Sequence, residues 1–531
     1  MSSKYKKKES KSRSRSKSSI ISDIMYPNKN VLYPEERKFF VKTSKIMGRY
    51  MVAKKDILPG EIILSELPIV VGPCAGCAVQ CLGCYKNLEE ESFVKCKSCN
   101  WPLCSYECSG INKRLGHSDI ECAILRKTNS SKFLNYNDFS NIRSRLCAIV
   151  PLRCLILRKV DPKTYDMLLN MEHHNELRMN ISEVWNNNQK NVVNTLIDDW
   201  GLTCFSEEEI HTVCGILEIN CFEIGQQDRD IRGLYPTAFL MSHDCVPNTN
   251  HSDEEMNYQL TVRASTEIKE GHPVTLSYAY TLQNTMKRRE HLLDNKFFEC
   301  YCKRCSDPSE LGSYCSALQC PKCQNGLVLC DDPLNFDSSW SCTNTSKKCP
   351  GYTITAKSMK LLLNRITQEA DQIDYNDANS MELFLDKYRN VLHPTHYICL
   401  GMKISLCQIY GKVEGNLIYQ LSDKILERKI EICREVLGVL DVIEPGYSRI
   451  RGVTLYELHA PLMILLTRKL AEKSVTKLEL KSRLKEISKC LTEATVILSY
   501  EPENSAEGNM GKAAAEALIQ IKEWKKIVGK F

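Results

Sequence analysis

The sequence predicts a multidomain α+β protein, β-rich and cysteine-rich at first and all-α from about residue 357 onward. Three observations predict it. The chain's 531 residues suffice for three to five compact units at about 100–200 residues each. Its 28 cysteines are clustered rather than scattered. Beyond about residue 357 the apolar residues fall at helical spacing. A hydrophobic fraction of 43% and a charged fraction of 26% are an ordinary globular mixture, which excludes a fibrous or wholly disordered chain. There is no apolar run of about 18 residues to span a bilayer, and the polar, basic N-terminus lacks the apolar run of a secretory signal.

Residues 1–36 open with Ser, Lys and Arg and no apolar periodicity, so they are expected to be a disordered tail. Residues 1–18 hold eight Lys/Arg and one Glu of a chain whose net charge is +6, so everything after them carries about −1. Attraction to nucleic acid is therefore confined to the tail, which also suits a nuclear-import signal. From 37 onward the text is strand-like. Ile46 to Ala53 and Ile62 to Val71, broken at Pro59-Gly60, predict a hairpin. Residues 130–215 read as largely helical, and 216–280 return to short strands. In the last region Leu480, Leu484, Ile487, Leu491 and Ala494 form one apolar stripe, and several such segments predict stacked, repeat-like helices.

The cysteines carry the chemistry. Five CxxC pairs occur, at Cys74/Cys77, Cys81/Cys84, Cys96/Cys99, Cys302/Cys305 and Cys320/Cys323, where random placement gives about 1.5. In a reducing compartment such clusters read as zinc ligands rather than disulfides. The first block runs Cys81, Cys84, Cys96, Cys99, Cys104, Cys108, His117, Cys122. Those eight soft ligands match two tetrahedral ions, and so short a segment needs metal to fold. Cys74 and Cys77 are left without a partner pair. Cys300, Cys302 and Cys305 lack one ligand. Cys320, Cys323, Cys342 and Cys349 have the shape of a zinc ribbon, in which Cys315 or Cys330 could replace a member.

Residues 241–248 read MSHDCVPN, preceded by NCFEI at 220–224 and followed by LSYAY at 276–280 and the Cys300 cluster. This order resembles the SET domain of protein-lysine methyltransferases. With the eight-ligand block interrupting its first half, the chain is similar to the SET-and-MYND (SMYD) family, and most like its arthropod SmydA branch. LHPTHY at 392–397, DVIEPGYSRIRGVTLYELHAPL at 441–462 and EPENSAEG at 501–508 resemble that family's helical C-terminal region, which is TPR-like.

The resemblance implies a β-rich SET domain split as 37–80 and 216–280, with a MYND finger at 81–122 and a helical insertion at 123–215. A post-SET zinc cluster at 281–310, a ribbon-like segment at 311–352 and a helical domain at 353–531 follow. It implies an S-adenosylmethionine-dependent protein-lysine N-methyltransferase acting on histone or other proteins. In the finger the ligands interleave, with Cys81, Cys84, Cys104 and Cys108 on one ion and Cys96, Cys99, His117 and Cys122 on the other. Cys245 becomes the fourth ligand beside Cys300, Cys302 and Cys305. Gly48, Arg49, Asn220, Ser242, His243 and Phe298 are implied to hold the cofactor together with Tyr278, the active-site tyrosine. Proline-containing peptides are implied partners of the finger. A monomer in the cytoplasm or nucleus, away from membranes, completes the expectation. Three positions depart from the family pattern: Ser242 stands for an Asn, Tyr50 for a Gly, and Lys296 where many relatives carry a Tyr. A cation at 296 would repel an incoming lysine unless it turned to solvent. The alternative implied is a catalytically weak SET scaffold that binds partners through the finger and the C-terminal helices.

Overall fold

The computed structural model describes residues 37–528 apart from 91, 226–228, 324, 345–348, 350 and 413–416. The expected tail at 1–36 lies outside the described residues. The chain opens with β1 (Phe39–Ser44) and β2 (Gly48–Ala53), an antiparallel hairpin with Ser44 opposite Gly48. Gly48 sits at φ +60°, a left-handed conformation that suits a residue without a Cβ. The hairpin predicted across Pro59-Gly60 is therefore corrected. That turn does not fold β2 onto β3 (Ile62–Glu66), because β2 is already paired with the strand before it. β3 instead pairs with a strand some 200 residues later in the chain, and the Gly60 N–H bonds the carbonyl of Ala264.

The other strands of this half are short: β4 (Val70–Pro73), β5 (Val94–Lys95), β6 (Pro102–Leu103), β7 (Phe222–Ile224), β8 (Ile231–Leu234), β9 (Ser242–His243), β10 (Thr249–Asp253), β11 (Leu260–Ala264) and β12 (Thr275–Leu276). They form small sheets ordered β10-β11-β3 and β4-β8-β7, and β9 runs parallel to β12. Side chains from these sheets and from β2, including Met51, Leu64, Val71, Leu260 and Val262, share one apolar core. The parallel pairing places His243 opposite Leu276, so the MSHDC and LSYAY segments lie side by side.

The finger is mostly loop, with the β5–β6 hairpin and the helix Asp119–Lys127, whose N-cap Ser118 accepts the N–H of Glu121. The following insertion is helical. Its last helix, Glu207–Asn220, crosses the expected 215/216 boundary before the strands resume. The finger's Cys81, Leu82, Trp101 and Leu103 pack into the same core as Ile149, Leu152 and Leu217 of this insertion.

A four-stranded sheet of Leu318–Gln319, Leu327–Cys330, Trp340–Cys342 and Thr353–Ile354 forms the ribbon. Seven helices follow among the described residues, from Ala356–Ala370 to Ala506–Val528. The predicted stripe is buried: Leu484 is 2% exposed, and Ile487, Leu491 and Ala494 are 0% exposed. Ribbon and helices share one core, in which Trp340 and Cys320 join Met359, Leu400 and Leu440.

Candidate functional site

Four sets of soft ligands come together, with every ligand atom of a set within 4.8 Å of the others: Cys81, Cys84, Cys104 and Cys108; Cys96, Cys99, His117 and Cys122; Cys245, Cys300, Cys302 and Cys305; and Cys320, Cys323, Cys342 and Cys349. Sulfur pairs sit at 3.6 Å in the first set (Cys81–Cys108), 3.7 Å in the second (Cys96–Cys122), 3.5 Å in the third (Cys245–Cys305) and 3.7 Å in the fourth (Cys323–Cys342). A tetrahedral ion with metal–sulfur bonds of about 2.3 Å requires sulfurs about 3.8 Å apart. Each cluster could therefore hold a metal ion such as zinc. Cys315 and Cys330 are buried but stand outside the fourth set. Cys74 and Cys77 join no ligand set among the described residues.

The second set carries an outer support. His117 turns Nε2 to Cys99 Sγ at 3.3 Å and Nδ1 to Glu121 Oε1 at 2.7 Å. Glu121 in turn accepts from Arg153, which also donates to the carbonyl of Val71 in β4. A buried carboxylate thus fixes the ring nitrogen facing the cluster, and the guanidinium ties the finger to the sheet.

The third set stands beside the tyrosine of LSYAY. Cys245, Cys300, Cys305, Ala279 and Leu292 make a small core against which Tyr278 and Phe298 pack. His243, Tyr278 and Phe298 meet ring to ring, with centroids 5.3 Å, 5.8 Å and 6.3 Å apart. The Tyr278 hydroxyl donates to the carbonyl of Met241 at 2.5 Å. Burial pushes its pKa well above the usual tyrosine value, so at neutral pH the group is a phenol with its proton committed and an oxygen lone pair free.

Ser242 Oγ is buried with no hydrogen-bond partner. Asn220 ends its helix and donates both amide hydrogens, to the carbonyls of Glu172 and Ile216 at 2.8 Å each. Its own oxygen makes no hydrogen bond among the described residues. Arg49 donates to the carbonyl of Asn170 and lies 5.6 Å from the Phe239 ring, next to Leu240 and Met241. Tyr50 is half-buried in β2, opposite Lys42.

Lys296 turns neither to solvent nor freely into a channel. Its ammonium donates to the carbonyls of Glu218 and Ile219, at 3.0 and 2.9 Å, closing the C-terminus of the helix Glu207–Asn220. A cation there meets the negative end of the helix dipole. It stands 6.0 Å from the Tyr278 ring centroid, and burial lowers its pKa.

Several contributors carry no sequence signal. Glu310, 1% exposed, binds Arg288 and Arg304, both 0% exposed. Arg304 also donates to the carbonyls of Cys245 and Thr281, and Arg288 reaches Cys305 Sγ at 3.6 Å. Met241 contributes its backbone carbonyl to Tyr278 while its side chain is buried in the core. Only Glu121 was findable, since its spacing from His117 is i, i+4 at the start of a helix.

The SET-domain family model matches residues 48–279. The chain is 29% identical over 368 residues to the Drosophila melanogaster SET domain-containing protein SmydA-8, isoform B, covering 65% of this chain and 75% of that protein. It is 24% identical over 284 residues to the Arabidopsis thaliana histone-lysine N-methyltransferase ASHR2, covering 49% and 69%. It is 25% identical over 312 residues to the Mus musculus histone-lysine N-methyltransferase Smyd1, covering 54% and 60%.

Proposed function

We propose, on the premise that this chain is a SET-domain protein of the SET-and-MYND type similar to SmydA, that it transfers a methyl group from S-adenosylmethionine to a lysine amine of a protein. The observation that carries the proposal is the Tyr278 hydroxyl anchored on the Met241 carbonyl inside a wall of aromatic rings.

The residues present fit the cofactor. Ser242 Oγ lacks a partner in the protein, the free Asn220 oxygen suits an α-ammonium, and the ring faces of His243 and Phe298 suit a cationic sulfonium. Gly48, Arg49, Asn220, Ser242, His243, Tyr278 and Phe298 are the residues that would hold it. When bound, it supplies a methyl group made electrophilic by the sulfonium.

The chain's own part is positioning and desolvation. An in-line displacement forms the carbon–nitrogen bond as the carbon–sulfur bond breaks, its electron pair staying on sulfur, so alignment dominates the rate. The amine must arrive neutral, and apolar, ring-lined surroundings lower a lysine pKa in that direction. With its O–H donated to the Met241 carbonyl, the Tyr278 oxygen accepts an amine N–H and aims the nitrogen lone pair. The displaced amine proton leaves to water.

We assign zinc to all four sets: two ions in the finger, one beside Tyr278 and one in the ribbon. Protein substrates bearing a target lysine are the primary partners, with proline-containing peptides at the finger. No helix among the described residues is long and apolar enough to cross a membrane. The basic stretch at 1–18 supports nuclear entry alongside a cytoplasmic pool, and a monomer is the working state.

The test is a calorimetric titration of zinc-replete protein with S-adenosylmethionine. Saturable one-to-one binding, weakened by Asn220→Ala, is expected. Absence of binding by a folded sample overturns the enzyme reading and leaves the finger and the helical domain as partner-binding surfaces of a scaffold.

A further inference from the structure

His243 touches both halves of the site. Its Nδ1 accepts the backbone N–H of Tyr278 at 2.9 Å, and its Nε2 lies 3.3 Å from Cys245 Sγ. A ring nitrogen that accepts a hydrogen bond carries no proton, so the hydrogen of the neutral ring sits on Nε2 and points at the sulfur. The side chain thus bridges a metal-ligand sulfur and the amide of the active-site tyrosine.

Two other links join these segments, the Asp244 N–H on the Leu276 carbonyl at 3.0 Å and Arg304 on the carbonyls of Cys245 and Thr281, but neither touches the Tyr278 amide. The β9–β12 pairing ends at His243 and Leu276, and the amide two residues further on, that of Tyr278, donates to the imidazole. Sulfur ligands need such donors, because four thiolates around one divalent ion leave an excess of about two negative charges. In this cluster Arg288 serves Cys305 at 3.6 Å and His243 serves Cys245. The ring cannot swivel freely, being packed between Tyr278 and Phe298. A displacement of Cys245 must therefore carry the ring, and the ring carries the Tyr278 amide.

We infer that His243 is a positioning residue that transmits the state of the Cys245–Cys300–Cys302–Cys305 centre to Tyr278. On this inference the metal holds the tyrosine in register, beyond closing the end of the domain. The role given to Tyr278 rests on the methyltransferase reading; the coupling between cluster and amide does not.

The experiment uses the full-length, zinc-loaded protein with two readouts: hydrogen–deuterium exchange resolved to the Tyr278 amide, and zinc released to a chromophoric chelator. Cys302→Ser perturbs the centre at a half-exposed ligand other than Cys245, the sulfur that His243 faces. It is expected to speed exchange at Tyr278 when His243 is present. In His243→Phe, exchange at Tyr278 is fast whether or not Cys302 is intact. His243→Phe also releases one zinc equivalent on the order of tenfold faster, as removal of an outer donor does. His243→Gln, which can place an amide N–H near the Nε2 position, restores slow release, a rescue that ring packing alone would not give. Cadmium in place of zinc, with longer metal–sulfur bonds, perturbs the centre without any substitution and covers a Cys302→Ser that fails to fold. Unchanged Tyr278 exchange under both perturbations overturns the inference, as does a His243→Phe protein with wild-type exchange and zinc release. S-adenosylmethionine titration of the same samples separates the two proposals: binding without coupling overturns this one alone, and coupling without binding overturns the enzyme reading alone.

Discussion

The Tyr278 hydroxyl donates a hydrogen bond of 2.5 Å to the carbonyl of Met241, a residue 37 positions earlier in the chain. The contact exists because β9 and β12 run parallel and adjacent, so the ends of two distant motifs face each other. It fixes what the phenol can do. With its hydrogen committed, it can accept from an amine but is a poor general base.

Tyr278→Phe removes the accepting oxygen and keeps the ring. Turnover on a protein substrate is expected to fall by about 10²-fold, the scale of a lost orienting contact. S-adenosylmethionine affinity should change little, because the aromatic wall survives. Because burial raises the Tyr278 pKa, the rate–pH profile should show no limb assignable to the tyrosine from pH 6 through about 10, where an ordinary tyrosine ionises. Any rising limb in that range belongs to the substrate lysine. A limb that vanishes in the Phe variant would contradict this.

Glu310 compensates two buried guanidiniums. Burial alone pushes its carboxyl up, but Arg288, Arg304 and the Ser316 hydroxyl together hold its pKa at about 2, against 4.5 for an ordinary glutamate. A lowered folded-state pKa contributes stability above about pH 4.5 and loses it as pH falls toward about 2. Glu310→Gln is expected to destabilise by about 3–5 kcal/mol at pH 7, since it leaves both arginines buried without their counter-charge. The difference from wild type in denaturant unfolding should shrink below pH 4.5. A pH-independent difference would mean that packing, not charge, is lost.

How much of this was legible follows from how local each signal is. The ligand sulfurs of the finger lie within about 42 residues and announce themselves by spacing, and the stripe from Leu480 to Ala494 announces its buried face by period. Cys245 could be joined to Cys300 only through the resemblance, since 55 residues separate them. The pairing of β2 was misjudged because Pro59-Gly60 looks like a hairpin turn, while strand pairing is decided by contacts far along the chain. Buried charges such as Arg288 and Glu310 read as surface residues in a sequence, where charged side chains are exposed by default. Lys296 looked like a cation in a channel because no linear pattern shows a side chain folding back onto a helix end 77 residues away.

That placement of Lys296 makes a discriminating variant. Lys296→Met keeps the stem and removes the ammonium that closes the helix presenting Asn220. Stability is expected to drop by about 1 kcal/mol, and S-adenosylmethionine affinity several-fold, because the helix end that holds Asn220 loosens. Denaturant unfolding and calorimetry measure the two effects. Higher turnover with unchanged stability would place the cation in the path of the substrate instead.

The ribbon offers the cleanest metal-removal experiment, because its cysteines stand apart from the tyrosine. Cys320 and Cys349 are buried, and Cys323 and Cys342 are half-buried, with Asn344 donating to the sulfur of each of the last two. The sheet behind them has strands of two to four residues, too short to persist by pairing alone. It nevertheless mounts the helical domain: the Gln319 N–H bonds the carbonyl of Val391, and the His393 N–H bonds that of Ala317. Cys323→Ser should therefore cost one of four zinc equivalents by elemental analysis. It should also raise backbone hydrogen exchange in 318–342 and around 391–397, while S-adenosylmethionine binding stays within about twofold. Binding free energies of structural zinc run to about 10–16 kcal/mol, so the exchange change should be large and local. If the variant kept four equivalents, the fourth set would not be a zinc site, and its short strands would need another source of stability.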